Sequence, residues 1–377
     1  MKIEISSRFD AGNIEVLQAD DPSDIRVKIR RDVGDVHAQW FYFQLSNARD
    51  RLCRIVVENA GEMSYPDGFH DYQVVASVDG EHWFRVPTAF DGDQLVISHT
   101  PERNLIFYAH FAPYGFERHQ GLIARAEQHP LVRTEVICQT PDGRPLTLLK
   151  IGDESASRKK IWITARQHPG ETMAEWWVEG FLERLLDSED GVSRALLDHC
   201  MIYLVPNMNP DGSVRGHLRV NANGVNLNRA WRDPDPRESP EVYFVRQRMS
   251  DTGVDIALDV HGDEALPYNF IAGAEGVPRW NDTMEAELDA FKQLLARITP
   301  DFQTTFGYER DAPGSADLRK CTDYVAETFG CLSMTLEMPF KDAANHPLPE
   351  LGWSPRRCKK LGSACLDAFW QTISSAG

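Results

Sequence analysis

The chain has no surplus of positive charge: 40 lysines and arginines stand against 57 aspartates and glutamates, a formal net charge of −17. Broad neutralisation of phosphates needs basic clusters, so nucleic acid is not an expected partner. The same balance gives no attraction to an anionic membrane, and the acidity serves solubility. No apolar run approaches the length of a membrane span, and the opening residues MKIEISSRFDAGN lack the apolar core of a secretory leader. Cysteine is sparse, seven residues with no Cys-x-x-Cys pair. That excludes a disulfide framework or a thiolate metal site and predicts reduced thiols in a cytoplasmic protein. Internal repeats, low-complexity tracts and a flexible Gly/Ser linker are all missing. What is present is a core: 42% of the 377 residues are hydrophobic and 10% aromatic, enough for two domains.

Up to about residue 111 the pattern is short alternating runs broken by turn residues. Such runs occupy 25–29, 37–45, 52–57, 72–78 and 95–98, with Asp79-Gly80 and Asp91-Gly92 as hairpin turns. Long amphipathic helical patterns are absent, so an antiparallel β-sandwich is expected over 1–118. Its dense aromatics and histidines (His37, Trp40, Phe41, Tyr42, Phe43, His70, His82, Trp83) read as core residues alternating with polar ones rather than as a stacking surface for a ligand. Residues 112–128, with Pro113, Gly115 and Gly121, read as the crossing into a second domain, 119–377.

There the rhythm changes to strands alternating with longer helices, the pattern of an α/β sheet. Strands are expected at 134–139, 147–151, 161–165, 201–205, 255–260, 269–272 and 332–336, and helices at 173–186, 240–250, 280–298 and 354–373. One stretch organises this half. The strand 161–165 turns through Arg166-Gln167 into His168-Pro169-Gly170-Glu171 and continues as a helix. The other apolar runs also end on polar groups: Asn207, Asn209 and Asp211; His261, Asp263 and Glu264; and Glu337. In open α/β sheets ligands bind beyond the carboxyl ends of the strands, provided the strands run parallel.

His168 and Glu171 lie three apart across a tight turn, and His261 arrives from another strand. Two imidazoles and one carboxylate leave a divalent zinc with an open position; carboxypeptidase A is the standard example of that ligand set. Water activated there needs a base that later returns the proton to a leaving amine, and Glu337 is the candidate. The loop-rich segment from Asn209 to Trp231 carries Arg215, Arg219 and Arg229, with Arg232 just beyond. Arginine binds a carboxylate in bidentate fashion or stabilises an oxyanion. Arg215 and Arg232 read as solvated surface.

His168-Pro-Gly-Glu171, Asn209-Pro-Asp-Gly212, Asn226-Leu-Asn-Arg229, the lone His261 and Thr335-Leu-Glu337 together resemble the M14 family of zinc metallocarboxypeptidases. Within that family the chain is similar to the cytosolic carboxypeptidases, whose N-terminal aromatic strand residues 37–43 resemble. The resemblance implies a mixed-sheet α/β carboxypeptidase domain with helices on both faces, preceded by an antiparallel β-sandwich. It implies one zinc per chain on His168, Glu171 and His261, with Glu337 as general base and acid. Asn228 and Arg229 would clamp the C-terminal carboxylate of a peptide or protein tail, and Arg219 would polarise the scissile carbonyl. Tyr324 is the candidate for the family's mobile substrate-binding tyrosine.

Side-chain preference is expected to turn on Gly314-Ser-Ala-Asp317-Leu-Arg319-Lys320. Subfamily members that remove glutamate carry an arginine there. Asp317 in the pocket would favour basic residues and Arg319 acidic ones; the subfamily resemblance points to acidic or glutamate C-termini. Two other functions compete: a zinc amidohydrolase for a small acylated amino acid, and a non-catalytic peptide binder on the same scaffold, for which Glu337 would have no chemical use.

Overall fold

In the computed structural model, which describes residues 2–154 and 158–374, the first third of the chain forms two five-stranded sheets. Its strands are β1 (Glu4–Ser6), β2 (Glu15–Gln18), β3 (Ile25–Lys28), β4 (Tyr42–Ser46), β5 (Cys53–Val57), β6 (Val75–Ser77), β7 (Phe84–Arg85), β8 (Thr88–Phe90), β9 (Leu95–His99) and β10 (Leu105–Ala109). One sheet has the order β1-β4-β10-β6-β7, the other β2-β3-β5-β9-β8. Alternation places Phe43 and Leu45 of β4 inward, where they share a core with Ile55, Val57 and Ile97 of the second sheet. All pairs are antiparallel except β3 with β5, which run parallel because the chain makes the long excursion through β4 between them. Trp40, Phe41, Phe43 and Trp83 are buried, as core aromatics should be, whereas His70 and His82 stay exposed. Residues 37–41 do not join the ladder. Gln39 and Trp40 instead bind other loops, Trp40 Nε1 donating to the carbonyl of Ala11 at 2.8 Å.

The expected crossing contains a helix, α1 (Phe116–Ala126), which buries Leu122 and Ala126. Beyond it lie β11 (Val132–Gln139), β12 (Pro145–Ile151), β13 (Lys159–Ala165), β14 (Cys200–Val205), β15 (Ile256–Asp263), β16 (Phe270–Ala272) and β17 (Leu332–Pro339). They form one mixed sheet of order β11-β12-β14-β13-β15-β17-β16. Its centre, β14-β13-β15-β17, is parallel throughout. The four strand ends that carry polar residues therefore point the same way.

Helices α2 (Met173–Leu185), α3 (Gly191–His199), α4 (Pro210–Arg215), α5 (Pro240–Thr252), α6 (Asp282–Ile298), α7 (Cys321–Phe329) and α8 (Pro355–Ser374) complete the second half. Trp177, Phe181, Leu196, Phe291 and Phe369 of α2, α3, α6 and α8 fill one face, while Val242, Val245 and Val325 of α5 and α7 fill the other. Helices α2 and α8 cross closely at Gly180: a Cβ there would come within 2.1 Å of the Lys359 carbonyl oxygen. Among the described residues no helix is long and apolar enough to cross a membrane. All seven cysteines are free thiols.

Candidate active site

At the end of β13 the backbone turns sharply. Arg166 adopts a left-handed conformation, φ 56°, although it is neither glycine nor exposed. Its guanidinium lies beneath the following turn and donates to Pro169 O at 2.9 Å, Tyr114 O at 2.8 Å and Glu175 Oε2 at 2.5 Å. Glu175 also accepts from Asn207 Nδ2 at 2.8 Å and pairs with His119 Nδ1 at 2.7 Å. A strained non-glycine residue persists where its surroundings over-determine it, and here a buried charged network fixes the turn that carries His168 and Glu171.

Glu171 bridges the two imidazoles. Its Oε1 lies 2.7 Å from His168 Nδ1 and its Oε2 2.7 Å from His261 Nδ1. One ligand atom from each of the three buried residues falls within 4.8 Å of the others. The remote ring nitrogens are already engaged, His168 Nε2 with Asn226 Oδ1 at 3.1 Å and His261 Nε2 with Asp259 Oδ2 at 2.7 Å. Asp259 is itself held by Thr164 Oγ1 at 2.7 Å and Gln167 Nε2 at 2.5 Å. This is the outer support that metal-binding histidines require. Two Nδ1 atoms and a carboxylate converging on one point fit a zinc ion.

The electrostatics follow from burial and these neighbours. Burial opposes ionisation of Glu171, yet the two imidazoles hold its carboxyl far below the usual range. Burial, with help from Arg219, pushes His168 down to about 4. For His261 burial acts the same way, but Asp259 and Glu171 outweigh it and raise the imidazole well above its ordinary value.

A cavity of about 390 Å³ opens over the three donors. Glu337 lies directly across from His261 in the β15–β17 register. Its Oε1 accepts from the Tyr308 hydroxyl at 3.2 Å, and its buried Oε2 has no hydrogen-bond partner among the described residues. Burial raises this carboxyl well above the ordinary range, His261 opposing and Glu171 adding to the shift. Arg219, Asn228 and Arg229 line the same cavity. Asn228 Oδ1 accepts the N–H of Cys321 at 2.8 Å, and its Nδ2 lies 3.4 Å from His261 Nε2. Arg229 is fixed at one end by donating to Asn228 O at 2.6 Å.

Seven of the ten site residues expected from sequence thus meet at one cavity: His168, Glu171, His261, Glu337, Arg219, Asn228 and Arg229. The other three, Tyr324, Asp317 and Arg319, lie outside its lining. Tyr324, on α7, packs against Trp231 and lies under Arg246. The tyrosines that line the cavity are Tyr65 and Tyr308; Tyr308 comes from a loop without periodic pattern, and its hydroxyl also reaches Asp263 Oδ2 at 2.7 Å. Asp317 and Arg319 pair with each other, two 2.8 Å contacts, outside the cavity lining. Asp317 keeps only a 3.9 Å approach to Arg229 Nε. The charged groups on the cavity wall in that region are Lys320 and Asp323. Asp323 is buried and pushed up to about 6, chiefly by burial. Asp259 was missed, although a residue two before His261 on one strand shares its face. Arg215 and Arg232 pair with Asp142 and Asp233 away from the cavity.

A mixed sheet whose parallel central strands end on a His₂Glu donor set and a facing glutamate defines a metallopeptidase-type hydrolase fold. Residues 5–111 match the cytosolic carboxypeptidase N-terminal domain and residues 119–356 match the zinc carboxypeptidase family. An uncharacterised protein of Zymomonas mobilis is 46% identical over 373 residues, which cover 99% of this chain and 97% of that one. The crystal structure of a metallo-carboxypeptidase from Burkholderia cenocepacia is 46% identical, covers 100% of both chains and superposes with a TM-score of 0.97. A Pseudomonas aeruginosa metallo-carboxypeptidase, solved with (2-guanidinoethylmercapto)succinic acid, is 42% identical, with TM-score 0.96 over 99% of this chain and 100% of that one. Cytosolic carboxypeptidase 3 of Bos taurus is 25% identical over 334 residues; the match spans 78% of this chain and 33% of that protein's length. The chain belongs to the M14 zinc carboxypeptidases. It is a zinc metallocarboxypeptidase, a peptidase hydrolase that acts on peptides.

Proposed function

We propose that the enzyme removes single residues from the C-termini of peptides or protein tails, with one zinc ion held by His168, Glu171 and His261. The observation that carries this reading is the meeting of those three donors, Glu337 and the Asn228–Arg229 pair at one cavity. Zinc, when bound, supplies the Lewis acidity that polarises the scissile carbonyl and acidifies the attacking water. The protein's own groups do the rest. Arg229 and the NH₂ group of Asn228 hold the terminal carboxylate, which restricts cleavage to chain ends. Glu337 accepts a proton from water as the new C–O bond forms. It then gives that proton to the leaving nitrogen as the C–N bond breaks. Arg219 stabilises negative charge on the carbonyl oxygen, and Tyr308 fixes the orientation of Glu337.

Acidic terminal residues, glutamate among them, are the proposed preference. The support is Lys320, which lines the cavity and whose ammonium has Asp323 Oδ2 at 3.4 Å and Asp311 Oδ2 at 3.8 Å as its carboxylate neighbours. A basic residue is the second reading. Asp323 Oδ2 is buried without a hydrogen bond among the described residues, and the Pseudomonas aeruginosa relative was solved with a ligand bearing a guanidino group.

We read the chain as two domains, 1–118 and 119–377, with α1 lying across the join. A cytoplasmic setting is inferred from the free thiols, six of them buried, and no nucleic-acid or membrane partner is proposed for a chain of net charge −17. The deciding experiment incubates the zinc-loaded enzyme with peptides that differ only in their last residue and follows products by mass spectrometry. Stepwise loss of terminal glutamate or aspartate is expected. Loss of lysine or arginine instead would replace Lys320 by Asp323 as the selecting group. Turnover confined to acylated single amino acids would return the function to a small-molecule amidohydrolase.

A further inference from the structure

The N-terminal sandwich reaches into the loop that bears Arg219. Asp32 is buried in the segment between β3 and β4 and aims its carboxylate at three successive backbone N–H groups. Oδ1 accepts from Leu218 at 2.7 Å, and Oδ2 accepts from Arg219 at 2.7 Å and from Val220 at 3.2 Å. Adjacent amides that converge on one anion form a nest, whose geometry is rigid because every donor is a main-chain group. The neighbouring Val33 N–H donates to His217 Nε2 at 3.1 Å, while His217 Nδ1 faces Val220 O at 3.0 Å, so the ring proton sits on Nδ1. One residue earlier, Asn13 Nδ2 donates to Gly216 O at 2.9 Å. Gly216 has φ 70°, and a Cβ there would fall 2.7 Å from Ala11 O, so only glycine lets the sandwich dock this closely.

A second contribution comes from Tyr65. The buried amide of Gln39 grips its backbone on both sides, accepting from Tyr65 N at 2.8 Å and donating to Tyr65 O at 3.0 Å. The guanidinium carbon of Arg219 lies 5.5 Å from the centre of the Tyr65 ring, within the range of a cation–π contact. The phenol lines the cavity beside Glu264, and its hydroxyl makes no hydrogen bond among the described residues.

We propose that the sandwich is a working part of the active site: Asp32 is a positioning residue that sets Arg219 against the substrate carbonyl, and Tyr65 is a substrate-contacting residue that donates its hydroxyl to the bound peptide. The proposal rests on the carboxypeptidase reading. An interface carboxylate that merely joined two domains would have no reason to bind the amides at and beside the one arginine of the cavity that faces Tyr65.

A double-mutant cycle in the zinc-loaded, full-length enzyme tests the Asp32 role. Asp32→Asn is expected to lower kcat about tenfold with KM little changed, because Arg219 works on charge that develops in the transition state. In an Arg219→Ala background the same change is expected to cost less than about twofold, since its effect passes through Arg219. Equal losses in both backgrounds would overturn the assignment and leave Asp32 a structural link. Tyr65→Phe removes one hydroxyl from a half-buried ring, so its zinc content and melting temperature should match the parent. It is expected to raise KM for tripeptides and longer chains about fivefold to tenfold, the range of one lost hydrogen bond; an unchanged KM would remove Tyr65 from the site. A parent that cleaves no peptide would sink the carboxypeptidase reading instead. Peptide affinity in the Glu337→Gln form separates the two roles: Tyr65→Phe should weaken ground-state binding, whereas Asp32→Asn should leave it nearly unchanged.

Discussion

Asp259 Oδ2 stands 2.7 Å from Nε2 of His261, and both side chains are buried. The carboxylate fixes the ring so that Nδ1 points at Glu171 and the cavity. Removal of such a partner typically weakens metal binding about 10- to 100-fold. Asp259→Ala is therefore expected to lower zinc affinity by that factor in a chelator competition. An unchanged affinity would show that the β15 backbone alone orients His261.

The same pair makes zinc loading sensitive to pH. In the metal-free protein burial pulls the His261 imidazole down, but the carboxylates of Asp259 and Glu171 overcome this and keep it protonated above its ordinary pKa. Zinc must displace the Nδ1 proton, so affinity should rise with pH until His261 has titrated. Calorimetry in buffers of different ionisation enthalpy should register proton release on binding. Zinc uptake without proton release near neutrality would contradict this charge state.

Glu337→Gln keeps the shape of the site and removes its base. Zinc content should be unchanged, while kcat falls about 10²- to 10⁴-fold, the usual range for a positioned acid–base group. Burial raises the parent carboxyl well above the ordinary range. The active form is ionised, so kcat/KM should decline as pH falls through that raised value. The variant should lack this acidic limb in its pH–rate profile; retention of the limb would assign it to another group.

Arg229→Ala should act on binding rather than on bond cleavage. A charge-assisted hydrogen bond is worth about 1.5–3 kcal/mol, so KM for peptides with a free C-terminus should rise roughly 10- to 100-fold with kcat nearly preserved. The parent should also discriminate against C-terminally amidated peptides, and the variant should lose most of that discrimination. If amidated and free peptides were cut equally well by the parent, Arg229 would not be the carboxylate clamp.

Residues at the ends of parallel strands were legible in the sequence, because a β-strand that delivers a polar group beyond its last apolar residue leaves a local pattern. His168, Glu171, His261 and Glu337 each leave that pattern, and they meet at one cavity. Asp259 left a trace too, in the alternation Asp259-Val260-His261, but a carboxylate inside an apolar run reads as an interruption of the strand. Tyr308 and Tyr65 left none. Each comes from an irregular segment, and each is brought to the cavity by contacts distant in sequence. Tyr324 is close along the chain to the catalytic strand, but α7 turns its ring onto Trp231 and Arg246 rather than into the cavity lining. Arg319 differs for another reason: a flexible cation beside Asp317 pairs with it locally and stays out of the cavity lining. Helix α1 escaped notice because Gly115 and Gly121 dominate the reading of a segment whose buried apolar residues, Leu122 and Ala126, are few.

The nest around Asp32 also bears on how such enzymes can be recombined. A chimera cut near residue 118 would inherit a carboxylate from one parent and the receiving amides from another. The Arg219 loop would then have to match a turn some 190 positions upstream in length as well as in chemistry. Exchange of whole domains between relatives should succeed only when the 30–34 turn travels with the 216–220 loop, so the heritable module is a pair of distant loops and not either domain.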